Sequence, residues 1–350
     1  MNIDDIVLDA RNQNVSDIHI SQGSLIYYRI NGNLIPTEYH FSDEEIKNLL
    51  WSLLNDKQIK IFESGKDIDF AFTSSDGNRQ RVNIFKQLGK ISATIRLLNN
   101  AFLTIEQLGL PNVLYDFTKE KRGLILVTGP TGSGKSTTLA AMINEINQNR
   151  AEHIITIEDP VEYIYPQGKS IIHQREVGQD VDTFAAALRS SLREDPDIIL
   201  VGEMRDFETI SAALTAAETG HLVLATLHTT GAAQTIDRII DACPAEAQQQ
   251  IRTQLTGILK GIVTQSLLPT NDGSRVAATE VLVANDAILN LIRENKGHQI
   301  TATLQSNKAL GMHTLNQDLY RLVSIAKISQ ETAIQFSNDR KDLTNYFGGF

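Results

Sequence analysis

Gly129-Pro-Thr-Gly-Ser-Gly-Lys-Ser136 follows the apolar run Leu124-Ile-Leu-Val127 and precedes Thr137-Thr-Leu-Ala-Ala-Met142. A buried strand, a glycine-rich loop and a helix, in that order, are the context in which G-x-x-x-x-G-K-[ST] builds a phosphate cradle. Glycines let the backbone curl so that successive N–H groups point inward at phosphate oxygens. The helix start adds the positive end of its dipole. Lys135 is placed to reach the β- and γ-phosphates, and the Ser136 hydroxyl to ligate Mg²⁺. The nucleotide-binding candidates are therefore Gly129, Pro130, Thr131, Gly132, Ser133, Gly134, Lys135, Ser136 and Thr137, with ATP and Mg²⁺ implied.

Outward from this loop, further runs are apolar at consecutive positions: Ile154-Ile-Thr-Ile157, Ile198-Ile-Leu-Val201 and Leu222-Val-Leu-Ala-Thr-Leu227. Such runs suit strands buried on both faces, hence a mostly parallel sheet with helices between the strands. Asp206 caps one helix, whose apolar stripe is Ile210, Ala213, Leu214 and Ala217, and Gly220 ends it. The tail beyond 245 reads as helical, with little strand signal.

Ligands bind at the carboxyl ends of parallel strands, and each strand here delivers polar groups there. Ile198–Val201 leads to Gly202-Glu203. Asp197 stands at the other end, roughly 20 Å away at about 3.3 Å per residue. Glu203 is thus the candidate on the metal side, acting through water, and Asp197 a capping or turn residue. Ile154–Ile157 leads to Glu158, Asp159 and, past Pro160, Glu162. Glu158 and Glu162 are the two choices for orienting the attacking water; the longer reach of Glu162 favours it. Leu222–Leu227 is bracketed by His221 and His228. Seven residues apart, they face opposite sides and cannot share a metal. His228 is a candidate to sense or stabilise γ-phosphate charge, and His221 reads as structural or at a subunit contact. No role is assigned to His19, His40, His153, His173, His298 or His313.

Residues 1–98 read as a small α/β domain. Ser42 and Glu45 form a capping box ahead of Leu49, Leu50, Leu53 and Leu54 at helical spacing. Strands are expected at 25–30, 33–35, 81–85 and 91–97. Arg81 and Arg96 fall on adjacent strands with Gly89 in the turn, so both can face one side. Two like charges side by side call for a shared anion, and the γ-phosphate is the obvious one. Asn99-Asn100 and Leu108-Gly-Leu-Pro111 read as a linker, giving domains at 1–98 and 112–350 around a linker at 99–111. Arg189, Arg193 and Arg205 flank Glu203 and are candidates for ion pairs or interface contacts.

The 350 residues are 41% hydrophobic and 21% charged, ordinary for two globular domains. A net charge of −10 speaks against a diffuse grip on nucleic acid, and so against a nucleic-acid motor. The single cysteine, Cys243, excludes an internal disulfide and a four-thiolate zinc site. The acidic N-terminus lacks a signal-peptide profile, and no apolar run approaches the roughly 20 residues of a membrane span.

The loop at 129–136, the acidic block Ile157-Glu-Asp-Pro-Val-Glu162, the strand ending in Gly-Glu203 and the block Gly220-His…Leu-His-Thr-Thr230 resemble, in this order, the type II/type IV secretion ATPase superfamily. So do Ser16-Asp-Ile-His19, His173-Gln-Arg-Glu-Val-Gly178, Leu192-Arg-Glu-Asp-Pro-Asp197 and Thr235-Ile-Asp-Arg-Ile-Ile-Asp241. Ala287-Ile-Leu-Asn-Leu-Ile-Arg-Glu294 is similar to a motif of the PilT-type pilus retraction (twitching motility) subfamily, with Leu289 where that motif has arginine. The resemblance implies an α/β protein: a PAS-like N-terminal domain and a RecA-like P-loop ATPase domain with C-terminal helices, assembled as a homohexamer. It implies Glu162 as general base, Glu203 near Mg²⁺, and Arg81 and Arg96 approaching the γ-phosphate. It further implies a cytoplasmic motor, peripheral at the inner-membrane base of a pilus machine, that acts on a membrane platform protein without nucleic acid or membrane insertion. A compact pilus-assembly or secretion ATPase is the alternative, although the extra N-terminal domain and four-cysteine module usual in those relatives are missing.

Overall fold

The structure, a computed structural model, describes residues 1–98 and 102–348. The chain divides into two compact units, one comprising Met1–Ala101 with Pro160–Ile164 and the other Phe102–Asp159 with Tyr165–Phe350. The mixed α/β class expected from the sequence holds.

The first unit contains α1 (Ile3–Asn12), β1 (Asp17–Ser21), β2 (Tyr27–Ile30), β3 (Asn33–Pro36), α2 (Asp43–Trp51), α3 (Asp56–Glu63), β4 (Ile68–Thr73), β5 (Arg79–Gln87) and β6 (Lys90–Leu97). Its six strands form one antiparallel sheet in the order β3-β2-β1-β6-β5-β4. The Ser42–Glu45 capping box starts α2 as the spacing predicts. Alternating positions Val82 and Ile84 of β5, with Ile95 of β6 and Ile18 and Ile20 of β1, are fully buried. They pack with Ile6, Val7 and Leu50 of the helices. A two-residue turn, Leu88-Gly89, joins β5 to β6 and sets Arg81 directly opposite Arg96.

The second unit contains α4 (Val113–Phe117), β7 (Gly123–Thr128), α5 (Lys135–Asn149), β8 (His153–Glu158), β9 (Ile171–Glu176), α6 (Phe184–Ser191), β10 (Ile198–Val201), α7 (Phe207–Glu218), β11 (Leu222–Leu227), α8 (Ala232–Asp241), α9 (Ala245–Ile258), β12 (Leu259–Pro269), β13 (Arg275–Val283), α10 (Asp286–Arg293), α11 (Ile300–Ser306), α12 (Leu315–Ser324), α13 (Gln330–Phe336) and α14 (Arg340–Tyr346). Its seven-stranded sheet runs β13-β12-β7-β11-β10-β8-β9. Every neighbouring pair is parallel except β12 with β13. Leu124 and Leu126 of β7 join one core layer and Ile125 and Val127 the opposite one, which is why the run is apolar without alternation. Asp206 caps α7 through a 2.8 Å bond to Thr209 N, and the expected stripe is buried.

Two expectations are corrected here. The tail beyond 245 is not simply helical: after α9 it supplies β12 and β13, the pair that extends the parallel sheet past β7. Apolar spacing around Ile258–Leu268 is compatible with either state. The exposed edge of β7 decides, because pairing there satisfies the backbone groups of β12 while burying Ile262 and Val263. The linker is also shorter than read. Ile105 and Leu110 are buried in the second unit's core, so 102–111 belongs to that unit; Asn99 and Asn100 lie outside the described residues.

Candidate functional site

Three parallel neighbours, β7, β11 and β10, bring their carboxyl ends to one edge. Val201 is level with Ala225, and Ala225 with Leu126. The loop after β7, His228 after β11 and Glu203 after β10 therefore emerge side by side on strands about 4.8 Å apart. α5 begins at Lys135. The Lys135 ammonium donates to Gly129 O at 2.8 Å and Pro130 O at 3.1 Å, so the charge rests over the loop. Gly129 has φ 141°, a conformation open in practice only to glycine.

Glu203 is held by two basic side chains. Arg205 Nη2 stands 2.8 Å from Oε2, and His228 Nε2 lies 3.0 Å from Oε1. Burial raises this carboxyl, but the hydrogen bonds and charges of Arg205 and His228 outweigh it and hold Glu203 below the ordinary glutamate range. Thr226 Oγ1 donating to Gly202 O, and Met204 N to Thr226 O at 3.0 Å, fix the turn that presents it. Asp197, at the far end, accepts from His153 N at 2.8 Å, a turn role. His221 binds Ala216 O through Nδ1 at 2.9 Å and closes the end of α7. Among the described residues no group of three or more His, Cys, Asp or Glu is placed to hold a metal by itself.

The acidic block divides between the units. Glu158 ends β8 and accepts from Thr156 Oγ1 at 2.6 Å. Glu162 lies in Pro160–Ile164, which belongs to the first unit rather than to 112–350. Within that unit Arg79 Nε donates to Val161 O at 3.1 Å and anchors the segment to β5.

Arg81 and Arg96 form the expected cross-strand pair, but the shared-anion argument is corrected. Arg81 grips Asp69 with two bonds, Nε to Oδ1 at 3.1 Å and Nη2 to Oδ2 at 2.5 Å. Arg96 Nε donates to Asp17 Oδ1 at 3.0 Å. β1 places Asp17 directly opposite Arg96, and β4 places Asp69 one step diagonal to Arg81. The arginine pair is flanked by an aspartate on each outer side, so each guanidinium is ion-paired without a ligand.

The type II/IV secretion system protein family matches residues 1–286. This chain belongs to that family. A twitching motility protein of Neisseria gonorrhoeae is 51% identical over 83% of the chain and 78% of its own length. The type IV pilus retraction ATPase PilT of Pseudomonas aeruginosa is 46% identical over 95% of the chain and 97% of its own length. A crystal structure of the pilus retraction motor PilT with bound ADP superimposes with a TM-score of 0.92 at 46% identity, covering 99% of each chain.

In this family member threonine hydroxyls link the elements beside the site. Thr128 and Thr264 share a hydroxyl bond of 2.8 Å, and Thr229 and Thr235 one of 2.7 Å. Thr235 Oγ1 reaches Thr128 Oγ1 at 3.5 Å. A line of hydroxyls thus connects the residue after His228 to the foot of the phosphate loop. Arg79 and Asp69 went unread because only the tertiary fold brings them to their partners, Val161 and Arg81.

Proposed function

We propose that this chain is a motor ATPase that hydrolyses ATP to water-cleaved products, ADP and phosphate, and so powers type IV pilus retraction and twitching motility. The observation that carries the reading is the convergence of the Lys135 loop, His228 and Glu203 on one sheet edge, in a chain alike over nearly its whole length to a named retraction ATPase. Gly129–Thr137 hold the nucleotide phosphates. Lys135 exchanges its two carbonyl partners for phosphate oxygens. Ser136 and Glu203 are oxygen donors of the kind Mg²⁺ takes, and the Arg205 and His228 contacts already made by both Glu203 oxygens suit it to orient metal-bound water rather than to ligate directly. Mg²⁺, when bound, spreads the charge of the transferring phosphoryl group. Glu162 orients the attacking water, and His228 senses the γ-phosphate through its contact with Glu203.

Arg81 and Arg96 act as arginine fingers after exchanging their aspartates for phosphate oxygens, in a homohexameric ring. The ring works in the cytoplasm, peripheral at the inner-membrane base of the pilus machine, on a membrane platform protein and without nucleic acid. No helix among the described residues is long and apolar enough to cross a membrane. Deleting the gene tests the direction of the motor. Excess surface filaments with lost twitching are expected, and bald cells would show an assembly motor instead.

A further inference from the structure

Gln265 on β12 is buried to 1% exposure and belongs to no motif read from the sequence. Both ends of its amide are committed to the phosphate loop. Nε2 donates to Ser133 O at 2.6 Å, and Oε1 accepts from Thr138 Oγ1 at 2.8 Å. Its backbone carbonyl fills the space beside Gly129, where a Cβ would stand 2.2 Å from the oxygen. A Cβ on Gly134 would stand 3.1 Å from Nε2. One residue therefore touches the loop at its first glycine, at Ser133, at its last glycine and at the first turn of α5.

We propose that Gln265 is a positioning residue that holds the loop in the curled form able to receive nucleotide phosphates, and so sets nucleotide affinity. The inference rests on the reading of Gly129–Thr137 as the ATP site. The platform is rigid: β12 pairs in parallel with β7 through Ile262, Val263 and Thr264, and the Thr264–Thr128 hydroxyl bond pins the strand beside the loop. The amide chemistry is specific. Ser133 O needs a donor and the Thr138 hydroxyl an acceptor, and the glutamine amide supplies both at this length without charge at any pH. A carboxylate would face a carbonyl on one side and the incoming phosphates on the other.

The full-length protein tests this through steady-state hydrolysis and binding of a fluorescent ADP analogue. Gln265→Met keeps the volume and removes both hydrogen bonds. It should raise KM for ATP and Kd for the analogue about tenfold, with kcat at saturating ATP falling far less, the pattern of lost uniform binding. Gln265→Glu should bind poorly at pH 8. Burial favours the neutral acid, whose O–H can replace the amide donor, so its KM relative to wild type should fall toward one as pH is lowered to 6. A residue that merely supported the fold would reduce the active fraction, lowering kcat at unchanged KM and with no pH-dependent recovery. That pattern, or KM and Kd within twofold of wild type in both variants, overturns the inference. Lys135→Ala run alongside separates the two ideas. If it is inactive while the Gln265 variants bind normally, only the positioning role fails; if it hydrolyses ATP normally, the nucleotide-site reading falls and the inference with it.

Discussion

Two alanine substitutions in one loop should differ in cost for a reason visible only in three dimensions. Gly132 has φ 79° and open space where a Cβ would go. Gly132→Ala thus bears only the left-handed backbone penalty, about 1–2 kcal/mol. Gly129 has φ 141°, and a Cβ would meet Gln265 O at 2.2 Å and Ser133 Oγ at 2.7 Å. The obstacle is backbone of a strand paired on both sides, so it cannot swing away. Strain of about 1–3 kcal/mol joins an overpacking cost of about 1–3 kcal/mol, for a total near 4 kcal/mol. For a unit of this size each kcal/mol moves Tm by about 2–4 °C, so Gly129→Ala should melt about 8–16 °C lower and Gly132→Ala about 2–8 °C lower. Differential scanning calorimetry on the full chain, following the transition that nucleotide shifts in the wild type, gives the comparison. A Gly129→Ala transition within 2 °C of wild type, or a Gly132→Ala protein that is the less stable of the two, would refute the packing argument.

The two glutamates should separate kinetically. Glu162→Gln should bind Mg-ATP yet lose roughly 10²–10⁴-fold in turnover, as removal of a general base does, whereas Glu203→Gln should also change the Mg²⁺ dependence; a Mg²⁺ titration altered only in the Glu162 variant reverses the assignment. Arg81→Ala and Arg96→Ala should cut kcat strongly with a modest loss of ATP affinity, arginine fingers being worth up to about 10³–10⁵, while Asp69→Asn, which only releases Arg81, should not. Changes below about threefold in both arginine variants would return them to a structural salt-bridge role. Burial holds the half-buried His313 imidazole below its ordinary value, more than the nearby Asp318 charge raises it. The unfolded chain then binds the proton more readily, so stability should be full above about pH 6.5 and decline as pH falls below it. Urea midpoints from pH 7.5 to 5 check this, and His313→Gln should flatten the slope.

Local signals carried a large part of this protein. The loop at 129–136 is legible because its glycines, lysine and serine act within one turn of chain. The strands around it are legible because burial on both faces leaves a continuous apolar run, and α2 and α7 because their caps lie within three residues of their partners. Non-local pairing decided the rest. The residues of β12 and β13 become strands because the edge of β7 offers them hydrogen bonds, and that edge is more than a hundred residues away in sequence. Asp17 and Asp69 neutralise Arg96 and Arg81 only once strand register sets them opposite or diagonal, so a charge pair that reads as a shared anion site proves already compensated. Pro160–Ile164 joins the first unit through a bond from the Arg79 guanidinium to Val161 O that no spacing reveals. Gln265 is the sharpest case: its amide matters because a distant strand delivers it to a loop whose own sequence announces phosphate binding but not what keeps it curled.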